Sequence, residues 1–337
     1  MHAYLLKKIG ELKYENISIP DCPSGWAIVK VKATGICSSD IPRIFKKGTY
    51  HFPLIPGHEF SGIIEQVADK DNTNLVGKRV GVFPLIPCKK CIQCKRAHYE
   101  MCIKYDYIGS RRDGSFAEYV AVPIWNIIEL NESVSFEAAA MMEPLAVALH
   151  AVKQSGLQKG DTIGFFGTGM IGFAAAQWAK RKDAAEVVVI GRSNDKKKIA
   201  DNIPGIKYLL ASEIQEEFDI IIEAVGSNES IINAIKATKP GGTLVLMGNP
   251  DGNISLPQDI YWRILRKQLK LIGTWNSVYE RNGKSDWTEV KEALISHTLE
   301  PESLISHRFD QQHLPLGLEL MLKHRESYCK VMTLWNN

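Results

Sequence analysis

The sequence predicts an α/β protein of two domains, one of them β-rich and the other built on a doubly wound parallel sheet. A chain of 337 residues is longer than one ordinary hydrophobic core requires. Glycines interrupt the first part of the chain roughly every ten residues, and from Asp161 short apolar strands alternate with helical segments. We place the β-rich domain at residues 1–146 and the parallel sheet at residues 147–277, and we expect residues 278–337 to return to the first domain.

The composition argues against a membrane-spanning, secreted or nucleic-acid-binding protein. Hydrophobic residues make up 45% of the chain and charged residues 23%, as in an average globular protein. No apolar run approaches the roughly 20 residues needed to span a bilayer, and the N-terminus lacks the order of a signal peptide. We therefore expect a soluble, cytoplasmic protein. A net charge of +3 is small for this length and does not indicate nucleic-acid binding.

Local patterns predict the individual elements. The alternating segment from Ala27 is typical of a strand. The alanine-rich segment 135–152 favours helix, with Ser135 as N-cap, and Pro144 is expected to interrupt it, giving two helices or one kinked helix. Apolar runs typical of strands covered on both faces begin at residues 162, 186, 219 and 243, and helices are expected at 170–182 and near 287–297.

Four of the seven cysteines lie in one short window, at Cys88, Cys91, Cys94 and Cys102. Four thiolates on one loop suit a tetrahedral structural zinc ion that keeps no open coordination position. An iron–sulfur loop begins in a similar way but closes with a nearby Cys-Pro, whereas Ile103 follows here. Disulfides are disfavoured because nothing else indicates a secreted protein. The loop therefore predicts structural zinc.

A glycine-rich turn follows the first strand of the parallel sheet and opens its first helix, with the sequence Gly167-Thr168-Gly169-Met170-Ile171-Gly172. In this position the first glycine permits the tight turn, the second admits a pyrophosphate, and the third lets the helix pack close to the strand. The helix N-terminus offers free N–H groups to the phosphates. The turn therefore predicts a dinucleotide site of the Rossmann type.

The end of the next strand bears on which dinucleotide is bound. An NAD-binding fold normally places an acidic residue there, on the ribose 2′-hydroxyl. Here the strand ends Gly191-Arg192-Ser193, without a carboxylate at Gly191. A guanidinium at Arg192 can bind a 2′-phosphate in a bidentate way, so we expect a preference for NADP over NAD. The lysines at 196–198 either add to the positive field or form a solvated helix face.

Candidate ligands for a second metal ion lie far apart in the sequence. Cys37 and His58 each follow turn signals, and Glu143 precedes Pro144 at the domain junction. One thiolate, one imidazole and one carboxylate can hold zinc and leave a fourth position for water or substrate. Spacing alone does not assemble them, since His58 also suits an ordinary polar loop and Glu143 an ordinary helix carboxylate.

Taken together, these segments resemble the zinc-dependent medium-chain alcohol and polyol dehydrogenases over essentially the whole chain. The resemblance implies a GroES-like catalytic domain, a catalytic zinc at Cys37, His58 and Glu143 with Glu59 nearby and sometimes coordinating, and a structural zinc in the cysteine loop. It also implies that Ser39 is the first hydroxyl of a proton relay. The matching segments are Cys37-Ser-Ser-Asp40, Pro56-Gly-His-Glu-Phe-Ser-Gly62, the cysteine loop, Gly114-Ser-Phe-Ala-Glu-Tyr119, Met142-Glu-Pro-Leu-Ala-Val-Ala148 and the glycine turn.

A glutamate as third ligand resembles the sorbitol dehydrogenase branch, and segments 39–46, 104–114, 264–269 and 272–276 resemble its galactitol-phosphate dehydrogenases. The expected reaction is metal-assisted hydride transfer from a polyol or polyol phosphate to NAD(P), giving a ketone. The resemblance implies an acidic residue at the position of Gly191, and this chain departs from it there. Arg43 and Arg112, from a pool that includes Lys46, Lys47 and Arg111, are candidates for a substrate phosphate, and Trp275 and Asn276 for the polyol pocket.

Several alternatives stay open. The substrate is alternatively an unphosphorylated polyol or secondary alcohol, such as sorbitol or butanediol, and cobalt or iron would also suit the catalytic ligands. Basic residues in the cysteine loop would fit a nucleic-acid binding module, and a metal-free reductase of the same superfamily is a third class. The candidate triplet of Cys37, His58 and Glu143 argues against the last two. The family forms dimers and tetramers, so we expect a homodimer or homotetramer.

Overall fold

The computed structural model describes residues 1–336, which divide into two compact units. The first contains Met1–Glu143 and the chain from Val278 onward, and the second contains Pro144–Ser277. Among the described residues, no helix combines the length and the apolar character needed to cross a membrane.

The strands, in chain order, are β1 (His2–Lys8), β2 (Glu11–Asn16), β3 (Trp26–Ile36), β4 (Glu59–Val67), β5 (Arg79–Val82), β6 (Leu85–Ile86), β7 (Asp106–Tyr107), β8 (Tyr119–Pro123), β9 (Ile127–Glu129), β10 (Thr162–Phe166), β11 (Glu186–Gly191), β12 (Lys207–Leu210), β13 (Phe218–Glu223), β14 (Thr238–Leu246), β15 (Lys270–Gly273), β16 (Ile305–Asp310) and β17 (Lys330–Leu334). The α-helices are α1 (Asp40–Pro42), α2 (Ile92–Lys95), α3 (Phe136–Ala140), α4 (Met142–Gln154), α5 (Met170–Arg181), α6 (Lys197–Asp201), α7 (Asn228–Ala237), α8 (Gln258–Lys267), α9 (Asp286–Ile295) and α10 (Leu314–Lys323).

The main sheet of the first unit has the strand order β16-β17-β3-β4-β5-β9, with β8 also pairing with β3. Its neighbours are antiparallel except β16 and β17, which are parallel. Alternating side chains of β3 and β4 enter one core, where Val29, Phe60 and Trp335 are fully buried. The C-terminal strand β17 pairs with β3, so residues after Val278 complete the sheet of the first unit.

The second unit has the predicted doubly wound architecture. Its sheet is parallel with the order β12-β11-β10-β13-β14-β15, so the strand order reverses between β10 and β13. Strands β10, β11 and β13 are buried on both faces, which explains their continuous apolar runs. Ligands of such folds bind outside the carboxyl ends of the strands at that reversal, and the glycine turn lies there, directly after β10.

The predicted helical segment at 135–152 is two helices, but the break is not where we expected it. Ser135 caps α3, since its Oγ accepts the N–H of Ala138 at 3.0 Å. The break falls at Met141, before Pro144. Pro144 lies in the first turn of α4, where no intrahelical N–H donor is required, so it starts the second helix rather than interrupting the first.

Candidate functional site

Strands β3 and β4 bring three candidate metal ligands together. Cys37 follows the last residue of β3, His58 immediately precedes β4, and Glu59 is the first residue of β4. The ligand atoms of these three residues all lie within 4.8 Å of one another. Because Gly35 pairs with Glu59 across the sheet, the ends of the two strands meet here. The fold thus brings together residues whose proximity could not be predicted from their spacing in the sequence.

A fully buried carboxylate lies behind this group. Asp40 Oδ2 accepts the backbone N–H of Cys37 at 3.0 Å, and its Oδ1 accepts from Arg43 Nη1 at 2.6 Å and lies 3.6 Å from His58 Nδ1. Burial would raise the pKa of Asp40, but the adjacent His58 and Arg43 outweigh it and lower the pKa. Asp40 therefore holds the cysteine loop and faces one side of the imidazole.

Glu143, on α4, is not among the residues whose ligand atoms lie within 4.8 Å of one another, although its carboxyl group interacts electrostatically with His58 and Glu59. Its Oε1 accepts a hydrogen bond of 3.1 Å from the hydroxyl of Tyr107, whose ring packs edge-on against His58 at 5.8 Å. Burial raises the pKa of Glu143 to about 7, and the carboxylate of Glu59 acts in the same direction. Sequence reasoning missed Tyr107, because no spacing rule relates it to a carboxylate on a later helix.

A second missed residue is Lys330, at the start of the C-terminal strand. Its ammonium group forms a buried ion pair with Glu59 Oε2 and donates to the carbonyl of Ile36 at 3.3 Å. The two partners are 271 positions apart, and no local signal in the sequence connects them.

These residues suit a divalent cation. Burial lowers the pKa of His58, but Asp40 and Cys37 raise it well above its ordinary value overall, so the site attracts positive charge. The buried Nδ1 of His58 has no hydrogen-bond partner among the described residues. A thiolate, an imidazole and carboxylates are ligands that zinc accepts. Ser39 is exposed, and its hydroxyl donates to Cys37 Sγ at 3.3 Å.

The four-cysteine loop also converges. The sulfur atoms of Cys88, Cys91, Cys94 and Cys102 all lie within 4.8 Å of one another, and no cysteine of the described chain is in a disulfide. Backbone N–H groups of Cys94 and Ile103 lower the pKa of Cys91 to about 6, whereas burial raises the pKa of Cys94 to about 12. Holding all four sulfurs as thiolates requires a cation, and this donor set fits a structural zinc ion.

The two arginines proposed for a phosphate already have carboxylate partners. Arg43 is bound to Asp40, as described above, and its side chain is 18% exposed. Arg112 Nε donates to Asp106 at 2.9 Å, and its guanidinium lies 5.0 Å from the ring centre of Trp26. In the second unit, Trp275 is exposed and Asn276 has a left-handed backbone with φ of 58°.

The glycine turn has the geometry that its sequence predicts. Gly167 has a φ of 127°, which a residue with a side chain rarely adopts. A Cβ on Gly172 would overlap the carbonyl of Gly167, so this glycine permits the close helix–strand packing. The Cβ position of Gly169 is open, with no atom within 4 Å, and Gly169 caps α5, which begins with Met170 and Ile171. Thr168 lies between Gly167 and Gly169. The open space beside Gly169 is compatible with the approach of a pyrophosphate to the helix N-terminus.

At the end of β11, a side chain at Gly191 would collide with the present position of Tyr208. A Cβ on Gly191 would overlap the hydroxyl of Tyr208, which donates to the carbonyl of Ser193 at 2.6 Å. Arg192 and Ser193 follow and are exposed. Tyr208, on the neighbouring strand, thus lies where an NAD-binding fold has its acidic side chain, and no local pattern predicted this contact.

Comparison with known proteins agrees with this geometry. Residues 23–132 match the alcohol dehydrogenase GroES-like domain, and residues 171–296 match the zinc-binding dehydrogenase family. The chain belongs to the zinc-dependent medium-chain alcohol and polyol dehydrogenases, which confirms the predicted fold and family.

Curated relatives act on several polyols and sugar acids. The chain is 33% identical to the galactitol 1-phosphate 5-dehydrogenase of Escherichia coli K12, over 83% of this chain and 84% of the relative. It is 27% identical to the L-galactonate-5-dehydrogenase of the same organism, over 92% of each chain.

Solved structures of similar fold are also dehydrogenases. The galactitol-1-phosphate dehydrogenase of E. coli superimposes with a TM-score of 0.89 and 30% identity, covering 99% of this chain and 100% of that one. A Sinorhizobium meliloti 1021 chain bound to NADP, described as a zinc-binding dehydrogenase, gives a TM-score of 0.90 and 26% identity, covering 99% and 98%.

Proposed function

We propose that the protein oxidises the secondary hydroxyl of a polyol phosphate, with galactitol 1-phosphate as the reference substrate, using a catalytic metal ion and NADP. The convergence of Cys37, His58 and Glu59 beside Glu143 is the observation that carries this proposal. The proposed ligands of the catalytic zinc are Cys37, His58 and Glu143, with Glu59 adjacent. The proposed structural zinc is held by the cysteine loop, which gives two ions per chain.

The chain's own residues account for the proton steps. A zinc ion held by Cys37, His58 and Glu143 would supply Lewis-acid chemistry, lowering the pKa of a bound substrate hydroxyl. Ser39 Oγ, bonded to Cys37 Sγ at 3.3 Å, is exposed and can accept the hydroxyl proton and pass it to solvent. NADP bound at the glycine turn would supply the hydride acceptor, so that loss of a hydride from the carbinol carbon and of a proton from its hydroxyl would give a ketone and NADPH. Asp40 holds the Cys37 loop and faces the His58 ring.

We assign the phosphate of the substrate to Arg43 and Arg112. A guanidinium has five N–H donors, and the bonds to Asp40 and Asp106 use only part of them. Arg43 and Arg112 therefore keep donors for a phosphate. The relative that acts on galactitol 1-phosphate supports this substrate.

The pairing of both arginines favours a second candidate, a dehydrogenase for unphosphorylated polyols. If Asp40 and Asp106 neutralise these two guanidinium groups, neither arginine is available to bind a phosphate. The relative that acts on L-galactonate supports a substrate without phosphate.

The cofactor proposal rests on the end of β11. An acidic side chain at Gly191 would have to displace the hydroxyl of Tyr208, and the exposed Arg192 can bind a 2′-phosphate. The Sinorhizobium structure bound to NADP supports this choice, whereas another structural neighbour, from E. coli CFT073, was solved with NADH.

We also propose that the chain forms a homodimer or homotetramer. Strand β15 forms one edge of the parallel sheet. Apolar side chains on β15 and on the preceding helix α8 are exposed, whereas most apolar side chains of the inner strands are buried. The exposed side chains are Tyr261, Trp262, Leu265 and Leu271, at 53%, 42%, 56% and 45%.

The deciding experiment compares galactitol 1-phosphate with galactitol and sorbitol, measuring kcat/KM from reduced nicotinamide absorbance with NAD and NADP separately. The first proposal is supported if kcat/KM is much higher for galactitol 1-phosphate than for the free polyols. This difference should be lost in Arg112→Gln and kept in the control Arg96→Gln. Equal or better turnover of the free polyols replaces it with the second. Equal or better kcat/KM with NAD refutes the cofactor proposal.

A further inference from the structure

One arginine near the candidate site has aromatic partners instead of a carboxylate. The guanidinium of Arg111 lies 4.3 Å from the ring centre of Tyr50 and 4.3 Å from that of Tyr105. Its Nη2 donates to the hydroxyl of Tyr50 and its Nη1 to the carbonyl of Tyr105, each at 3.2 Å. Within the described chain it makes no ion pair, whereas Arg43 and Arg112 are each bound to an aspartate. Arg111 is therefore a half-buried cation that no carboxylate neutralises.

The turn that carries Arg111 packs against the backbone next to His58. The backbone N–H of Arg111 donates to the carbonyl of Tyr107 at 2.9 Å. Gly109, two residues earlier, lies so close to Gly57 that a Cβ on it would overlap the carbonyl of Gly57. Gly57 immediately precedes His58. The turn is thus fixed beside the segment that supplies the imidazole.

Side-chain contacts also connect Arg111 with the candidate metal ligands. The ring of Tyr105 packs edge-on against that of Tyr107, with 6.2 Å between the ring centres, and Tyr107 packs against His58. Two tyrosine rings therefore lie between the guanidinium and the imidazole. A substrate with its hydroxyl at the metal ligands and an anionic group at Arg111 needs several carbon atoms between the two.

The surrounding contacts hold the guanidinium in place. The loop that carries Tyr50 is bound to the turn by its flanking residues: the hydroxyl of Thr49 donates to the carbonyl of Ser110 at 2.6 Å, and His51 Nε2 lies 3.2 Å from the carbonyl oxygen of Arg111. Aromatic rings stabilise a guanidinium packed against them. A side chain held in this way loses little entropy on binding, and its unused N–H donors can bind two oxygens of an anion.

We propose that Arg111 is a specificity-determining residue that binds the anionic end group of the substrate, a phosphate or a carboxylate, in addition to the arginines assigned above. This inference rests on the proposed function, because the same site oxidises the hydroxyl at the other end of the molecule. A charge-assisted hydrogen bond is stronger than one to a neutral hydroxyl. Arg111 therefore favours substrates with a charged end over free polyols.

The test compares galactitol 1-phosphate, L-galactonate and galactitol, which differ in one end group. Kinetics with the better of NAD and NADP give kcat and KM, and calorimetry of the zinc-loaded protein gives Kd without turnover. In Arg111→Gln we expect KM and Kd for the anionic substrates to rise about tenfold or more, as for one lost charge-assisted hydrogen bond, with a much smaller change for galactitol. Arg96→Gln removes an exposed arginine elsewhere in the first unit and should change none of these values.

Three further variants separate anion binding from support of the turn. Arg111→Lys keeps the charge but not the planar fork, so its KM for the anionic substrates should lie between those of the wild type and Arg111→Gln. Tyr50→Leu removes one ring from the guanidinium and should raise the same KM, whereas Tyr50→Phe keeps the ring and should raise it less. Equal losses for galactitol and for the anionic substrates in Arg111→Gln would mean that Arg111 only supports the turn, and would overturn the inference.

Failure of the proposed function gives a different pattern. If galactitol 1-phosphate binds in a way that depends on Arg111 but is not oxidised, the proposed function is wrong and the anion site stands. If the wild type prefers the anionic substrates and Arg111→Gln does so equally, the function stands and the role of Arg111 is refuted. That role is also refuted if the wild type binds galactitol as tightly as either anion. An effect confined to phosphate or to carboxylate supports the inference and identifies the end group.

Discussion

The hydroxyl of Tyr208 occupies the space into which a side chain on Gly191 would project, and a bond of 2.6 Å to the carbonyl of Ser193 holds it there. Introducing the acidic residue of an NAD-binding fold should therefore displace Tyr208 before it can contact a ribose. We expect Gly191→Asp to lower kcat/KM for both NAD and NADP, rather than to exchange one preference for the other.

Removing the obstruction supplies the control. In Gly191→Asp/Tyr208→Ala the carboxylate has room, so kcat/KM with NAD should rise above that of the single variant while NADP stays poor. A clean switch to NAD in Gly191→Asp alone would show that Tyr208 does not constrain this position.

Arg192 supplies a separate prediction about the same cofactor. Arg192→Ala should reduce kcat/KM for NADP about tenfold or more, the equivalent of losing one charge-assisted hydrogen bond, and should leave NAD nearly unaffected. Lys198→Ala removes the same charge from the exposed helix that follows and is the matched control. Equal losses in the two variants would mean that only the general positive field matters.

The two proposed zinc sites should be separable by mutation. Cys37→Ser should abolish turnover, retain one zinc ion per chain by mass spectrometry of the metal, and melt near the wild-type temperature. Cys94→Ser should instead lose the ion of the cysteine loop and melt at a lower temperature, because metal binding there contributes to folding.

The half-buried Cys22 lies outside both groups of ligands and provides a control for the loss of a thiol. Cys22→Ser should keep two ions and full turnover. Turnover retained by Cys37→Ser would refute the catalytic site.

Local sequence patterns predicted the parts of the protein that depend on local spacing. The glycine turn and the cysteine loop each lie within a few residues of chain, and their chemistry can be read directly from that spacing. The parallel sheet followed from apolar runs that only strands covered on both faces require. The helix break was predicted at the wrong residue, because a proline suits both a helix break and the first turn of a helix. Pro144 lies in the first turn of α4.

The parts that were not predicted depend on contacts between distant segments. Lys330 meets Glu59 only because β17 returns to pair with β3, and Tyr107 meets Glu143 through an element of two residues. The carboxylate partners of Arg43 and Arg112 are local, three and six positions away, but the prediction from sequence left them unpaired. Asp40 is three positions from Arg43, yet only the fold shows that it also faces His58.

Asp219 makes the stability of the parallel sheet dependent on pH. Burial acts to raise its pKa, but donation from the N–H and hydroxyl of Thr162 and from Lys239 outweighs this and lowers the pKa from 3.8 to about 2. A depressed pKa means that the stabilisation is present above the unfolded value and is lost as pH falls toward the folded one. Because the side chain is 38% exposed and screened by solvent, we expect about 1 kcal/mol.

The measurement is the difference in melting temperature between wild type and Asp219→Asn across a pH series. The difference should be largest near neutral pH and shrink below about pH 4, where the carboxylate begins to protonate in the unfolded chain. A difference that is constant with pH would show that folding does not lower the pKa of Asp219.

The last prediction concerns the open edge of the parallel sheet. Strand β15 ends the sheet, so in the described chain its outer N–H and C=O groups have no partner strand, and Leu271 on it is 45% exposed beside the apolar face of α8. If two copies pair through this edge, Leu271→Asp should bring a charge into the interface and shift the mass measured by light scattering toward the monomer. Leu316→Asp, at a similarly exposed leucine on α10, should leave the mass unchanged. A monomeric wild type, or an unchanged mass in Leu271→Asp, would refute assembly through this edge.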